Sequence, residues 1–114
     1  MRRSATILIV EDDLALMEGI AELLDVIDIG YDITTVKAVD GVEGLAAIGE
    51  RTPDLIISDI TMPRMDGFEL LEQLRANPAW VHIPVIFLTA RGTEEDVLKG
   101  RLSGAELYIT KPFD

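Results

Sequence analysis

The stretch DLIISDITMPRMDG, from Asp54 to Gly67, decides the fold. Leu55, Ile56 and Ile57 make an apolar run of the kind buried on both faces of a parallel sheet. Ser58 and Asp59 end the run; Met62-Pro63 and an Asp66-Gly67 turn follow. A carboxylate at the mouth of a buried strand is costly unless something there is matched to its charge. TILIVEDD, from Thr6 to Asp13, is built the same way, and it ends in three acids, Glu11, Asp12 and Asp13.

Working outward from these two runs, the strand candidates are Thr6–Val10, Asp32–Val36, Leu55–Ser58, Val85–Leu88 and Leu107–Ile109. Segments of helical period lie between them. Leu14–Ile27 carries Met17, Ile20, Ala21, Leu24 and Ile27 on one stripe. Gly41–Glu50 places Val42, Leu45, Ala46 and Ile48 similarly, and Phe68–Ala76 places Phe68, Leu70, Leu71 and Leu74 before Asn77-Pro78 ends it. Thr93–Ser103 opens on TEED, with Thr93 as N-cap, and Gly104 is its stop. The order βαβαβαβαβ predicts an α/β fold with a parallel sheet and right-handed crossovers. In such sheets ligands bind outside the carboxyl ends of the strands. Glu11, Asp12, Asp59, Thr89 and Lys111 all fall at that edge.

The 114 residues suit a single domain, and 48% of them are apolar, as in ordinary globular proteins. There is no cysteine, which excludes disulfides, thiolate metal sites and cysteine nucleophiles. No window approaches a membrane span, and the short apolar run after Arg2 and Arg3 is no signal peptide. The expected location is the cytoplasm. A net charge of −11 argues against direct nucleic-acid binding, which needs a basic footprint.

If the first and third strands are neighbours, their acids converge. Two carboxylates about 4 Å apart repel by roughly 4 kcal/mol at an effective dielectric near 20. The cluster must protonate, splay or bind a cation, and oxygen donors favour Mg²⁺. A carboxylate beside a divalent ion and a lysine makes sense as a phosphoryl acceptor, because the cations offset charge on the transferring oxygens. Asp59 is then the nucleophile, Lys111 a phosphate partner, and the Thr89 hydroxyl a hydrogen-bond donor to a phosphoryl oxygen. Taken singly, each residue reads as a turn, cap or solvated group. His82, the only histidine, reads as a loop residue, and Trp80 as a cover for the loop before the fourth strand.

ILIVEDD, LIISDITMPRMDG, VIFLTA and AELYITKPF, in that order and spacing, resemble the receiver domain of two-component response regulators from about Ala5 onward. The resemblance implies a doubly wound, flavodoxin-like sheet in the order 2-1-3-4-5 and phosphorylation of Asp59 by a histidine kinase or phosphotransfer protein. It implies a Mg²⁺ site from Glu11, Asp12, Asp59 and the Thr61 backbone carbonyl, with Asp12 favoured over Glu11 as the direct ligand. It makes Lys111 the phosphate lysine, Lys111–Pro112 a cis peptide, Thr89 the switch hydroxyl and Tyr108 the switch aromatic. Thr89 moves toward the phosphoryl group and Tyr108 fills the space it leaves. Asp13 matches a variable position and reads as a helix cap. The implied protein is a signalling phosphoacceptor rather than an enzyme.

Two rivals remain. One is a receiver-shaped interaction module that is never phosphorylated. The other is a Mg²⁺-dependent phosphohydrolase of the haloacid-dehalogenase type, which wants a second acid where Thr61 stands. The family pattern continues into a fifth helix beyond Asp114. The expectation is therefore a receiver domain over 1–114 truncated before its last helix. Five strands at about 4.8 Å span roughly 24 Å, whereas one helix covers about 10–12 Å. One face of the sheet would then carry a bare apolar strip, with poor stability or self-association, a homodimer included, as the consequence.

Overall fold

The computed structural model describes residues 3–27, 29–89 and 107–110, the side chains of 89 and 107–110 excepted. Within these, the strands are β1 (Arg3–Val10), β2 (Tyr31–Ala38), β3 (Leu55–Asp59), β4 (Val85–Thr89) and β5 (Leu107–Thr110). The helices are α1 (Leu14–Val26), α2 (Gly41–Glu50) and α3 (Gly67–Arg75). All strand pairs are parallel and the order is β2-β1-β3-β4-β5, the expected doubly wound arrangement. The predicted helix Thr93–Ser103 and its stop at Gly104 lie outside the described residues, as does the Lys111–Pro112 peptide.

Strand alternation sorts the core into two layers. Leu8, Val10, Ile56, Val85 and Phe87 point to one face, where Ile48 of α2 and Leu70, Leu71 and Leu74 of α3 pack on them. Phe68 meets Phe87 edge to face at 5.3 Å. On the other face Ile9 packs with Met17, Ile20, Ala21 and Leu24 of α1, the stripe read from the sequence except for Ile27, which caps the helix in an extended conformation instead. On that same face Leu55, Ile57, Ile86 and Leu88 are only half-buried. Ile7, Ile29, Tyr31, Ile33 and Leu55 line an open cleft there of about 270 Å³.

Each described helix starts on an aspartate. Asp13, Asp40 and Asp66 accept the backbone N–H of Leu16, Glu43 and Glu69 respectively, which supplies a partner to a helix N–H that has none within the helix. Asp13 is thus the cap expected of it. Asp66-Gly67 is less a turn than a helix start, so α3 begins at Gly67 rather than Phe68. At its other end Arg75 donates to the carbonyls of Val81 (3.1 Å) and Ile83 (2.9 Å), which ties the loop holding half-buried Trp80 and exposed His82 to the helix.

The packing face of α2 differs from the expected one. Val42 is 43% exposed and Ala46 is also exposed, whereas Gly41, Gly44 and Ile48 are buried. A Cβ at Gly44 would lie 3.3 Å from Val10 Cγ2. The helix lies close enough for Gly41 and Gly44 to face inward, and a reading of apolar side chains alone gives glycine no such weight.

Gly67 is tighter still, because a Cβ there would collide with the Asp59 carbonyl oxygen and lie 2.9 Å from Phe87 Cε1. Gly67→Ala is therefore expected to destabilise the protein by about 1–3 kcal/mol through overpacking. Gly49→Ala has open space at its Cβ and is expected to stabilise by about 0.4–1 kcal/mol. Denaturant unfolding of both variants checks the contrast. Equal effects would show that the Gly67–Asp59 approach does not constrain the fold.

Candidate functional site

The site is assembled by strand pairing. Register places Ile7 against Leu55 and Val10 against Ser58, so the residues that follow β1 emerge beside the end of β3. The Glu11 N–H donates to the Ala38 carbonyl at 2.9 Å, which holds Glu11 in line with the sheet for one residue past β1. Carboxylate oxygens of Glu11, Asp12 and Asp59 lie within 4.8 Å of one another. Glu11 is 1% exposed and Asp59 7%, while Asp12 faces solvent. The two buried acids form the floor of the cluster and Asp12 its open side.

Two backbone contacts orient the buried acids. Glu11 Oε2 accepts the Asp13 N–H at 3.0 Å, and Asp59 Oδ1 accepts the Ile60 N–H at 2.8 Å. Behind Asp59, Ser58 Oγ donates to the Asp59 carbonyl at 2.8 Å. Three carboxylates at this spacing, two of them largely out of water, make a hard-oxygen donor set of the type that suits Mg²⁺ or Mn²⁺. The charges are ones that a divalent cation offsets.

Of the other expected site residues, Thr61 is exposed in the loop that follows Asp59. Thr89 ends β4, one position beyond the Asp59–Leu88 register pair, and so belongs to the same edge of the sheet. Tyr108 pairs with Phe87 on the edge strand β5. The side chains of Thr89 and Tyr108, and the whole of Lys111, lie outside the described residues.

The structure adds two residues that the sequence reading left unnamed. Asp40, 2% exposed, receives Arg64 Nε on Oδ2 at 2.6 Å. A second guanidinium nitrogen, Nη2, reaches the same oxygen. The Asp40 carboxyl is held below its ordinary range. The Glu43 N–H bond is the leading cause; burial opposes it, and the bond and charge of Arg64 add to it. The pair joins the start of α2 to the loop after Asp59. The only sequence signal was a duplicated Asp-Gly, Asp40-Gly41 and Asp66-Gly67, at the two ends of this contact region.

Comparison with known proteins agrees with this geometry. The response regulator receiver domain matches residues 7–114. The DNA-binding dual master transcriptional regulator RpaA of Synechocystis is 42% identical over 108 residues, which cover 95% of this chain and 43% of RpaA. The chain spans about half the length, or less, of this and other curated relatives it matches. Among solved structures, the phosphorylated cyanobacterial phytochrome response regulator RcpA superposes with a TM-score of 0.84 at 30% identity, over 97% of this chain and 83% of that one. The Mn²⁺-bound form of response regulator Rcp1 does so with 0.84 at 29% identity, over 96% and 83%. Among the described residues no helix is long and apolar enough to cross a membrane. With its sheet order, its acidic cluster and these matches in agreement, the chain belongs to the response regulator receiver domain family of two-component signalling proteins.

Proposed function

We propose that residues 1–114 act as a phosphoacceptor domain that takes a phosphoryl group onto Asp59 from a histidine kinase or phosphotransfer protein. The observation that carries this reading is the convergence of the Glu11, Asp12 and Asp59 carboxylates where β1 and β3 end side by side. Mg²⁺ would be held by Asp12, Asp59 and the Thr61 carbonyl, with Glu11 beneath, and would neutralise charge on the phosphoryl oxygens. In the transfer, an Asp59 carboxylate oxygen attacks phosphorus. The new P–O bond forms as the P–N bond of the donor phosphohistidine breaks, and the imidazole leaves. Apart from the Asp59 nucleophile, the protein contributes position and charge. The Ile60 N–H fixes the plane of the nucleophile, and burial of Glu11 and Asp59 keeps competing water low. Lys111 supplies a second cation to the phosphoryl oxygens.

Phosphorylation adds charge and strong acceptors at Asp59. The Thr89 hydroxyl turns to them, Tyr108 occupies the vacated space, and the surface around β5 changes. On this reading the domain is a switch and not an enzyme with an external substrate, it works in the cytoplasm, and its partners are the kinase and whatever reads the β5 surface. Its own net charge of −11 opposes direct contact with nucleic acid.

With Mg²⁺ and acetyl phosphate, wild type is expected to gain one phosphoryl group by intact mass, and Asp59→Asn none. Equal labelling of the variant would assign the acceptor elsewhere, and no labelling of either protein would favour the unphosphorylated module. Asp12→Ala should lower Mg²⁺ affinity by about tenfold, or about 1.4 kcal/mol, in a calorimetric titration; unchanged affinity would remove Asp12 from the ligand set. Thr89→Ala should still accept the phosphoryl group while amide shifts around Tyr108 on beryllofluoride addition shrink. Full wild-type shifts in that variant would contradict the switch.

A further inference from the structure

Arg64 is the one non-glycine residue with positive φ, 67°, among the described residues. It is the central residue of a three-residue turn closed by the Met65 N–H donating to the Pro63 carbonyl at 2.7 Å. Turns of this kind around a left-handed residue are rare and strained, so something outside the turn has to hold it. The Arg64–Asp40 pair does so from the side: two guanidinium nitrogens converge on one oxygen of a carboxylate that is itself buried and fixed by capping α2. A second strut runs alongside. The Gly41 N–H donates to the Met65 carbonyl at 3.1 Å, and a Cβ at Gly41 would lie 2.7 Å from that same carbonyl oxygen.

The rest of the loop is pinned at points that bracket Thr61. The Gly67 N–H donates to the Ile60 carbonyl at 2.7 Å, and Met62 is buried in the core of the α2/α3 face. Thr61 lies between Ile60 and Met62, so the direction of its carbonyl is set by how firmly the loop from 60 to 66 is held. We propose that the Arg64–Asp40 pair is a clamp that fixes this loop for metal binding, which makes Arg64 a positioning residue for the Thr61 carbonyl. This rests on the metal assignment made under the proposed function. The clamp spans 24 residues of sequence, and it makes the start of α2 part of the metal site's support.

The sign of the effect separates a clamp from a simple charge. Arg64 is a cation, so its removal on electrostatic grounds alone would tighten binding of Mg²⁺. Loss of the clamp weakens it. Mg²⁺ titrations followed by calorimetry and by the amide shifts of Ile60, Thr61 and Met62 test this on wild type, Arg64→Gln, Arg64→Lys, Arg64→Gly and Asp12→Ala. Arg64→Gln is expected to weaken binding by about tenfold, as loss of a group supporting a ligand does, and Arg64→Lys to recover part of that loss. Arg64→Gly should weaken binding like Arg64→Gln while keeping its melting temperature, because glycine accepts the left-handed turn without strain. If Arg64→Gln binds Mg²⁺ as well as wild type or better, the clamp is overturned. If Arg64→Gln fails to fold, Arg64→Gly decides by the same criterion. If Asp12→Ala binds as wild type does, the metal assignment fails and the clamp falls with it; if Asp12→Ala weakens and the Arg64 variants do not, the clamp alone fails.

Discussion

The parallel pairing of β1 with β3 is the constraint from which the site follows. Four register pairs, from Ile7–Leu55 to Val10–Ser58, fix where both strands end, β1 running into Glu11 and β3 ending on Asp59. Had the chain joined these strands as sequence neighbours, β2 would lie between them and the acids would stand about two strand spacings, roughly 10 Å, apart. The order β2-β1-β3 brings them into one cluster instead. The cost of that cluster is electrostatic, and the apolar packing of Leu8, Val10 and Ile56 beneath it, all at 0–1% exposure, is what holds the strands together against it. Stability and the proposed function therefore pull in opposite directions at the same few residues. A ligand that binds the folded cluster, whether cation or phosphoryl group with its cation, would relieve the conflict and stabilise the fold through linkage.

The loop after Asp59 is the second consequence. It has to leave the top of a buried strand and re-enter the core at Met62. It must then turn through left-handed Arg64 and start α3 with Gly67 against the Asp59 carbonyl. Little of that path is set by local preference alone. Proline at 63 and glycine at 67 suit it, but arginine at 64 does not, and its conformation persists because Asp40 and Gly41 hold the loop from outside. The result is a loop with defined carbonyl directions in a place where a solvent-facing loop would ordinarily wander.

Much of the fold was legible because buried parallel strands leave continuous apolar runs, and amphipathic helices leave stripes. Where boundaries moved, the reason is that backbone pairing does not require apolar side chains. Arg3 and Ser4 extend β1 by pairing with Tyr31 and Asp32, yet all four are exposed. The acidic cluster was legible because topology alone puts strand ends together. The Arg64–Asp40 pair was not, since a lone arginine and a lone aspartate separated by a helix and a strand read as two solvated charges. The inward face of α2 was hidden for a related reason. A glycine that lets a helix approach a sheet looks, in sequence, the same as one that merely weakens it.

Packing also divides the sheet between holding and responding. β1 is covered on both faces, with Ile9 and Val10 at 0% exposure, and together with β3 it carries the acids that have to stay in place. On β4 one side is locked, Phe87 at 0% exposure against Phe68, while Ile86 and Leu88 on the other side are half-buried. Local opening and rearrangement take less free energy where fewer apolar contacts must be given up. On the proposed reading, a charge added at Asp59 would act on both neighbours of β3, and these are unequally packed. The β1 side is fixed by its two-sided core, by the Glu11–Ala38 bond and by the clamp at Asp40. On the β4 side Ile86 and Leu88 are the half-buried neighbours, so on the proposed reading a signal generated at Asp59 would be directed toward the edge of the sheet by the unequal packing of the described residues.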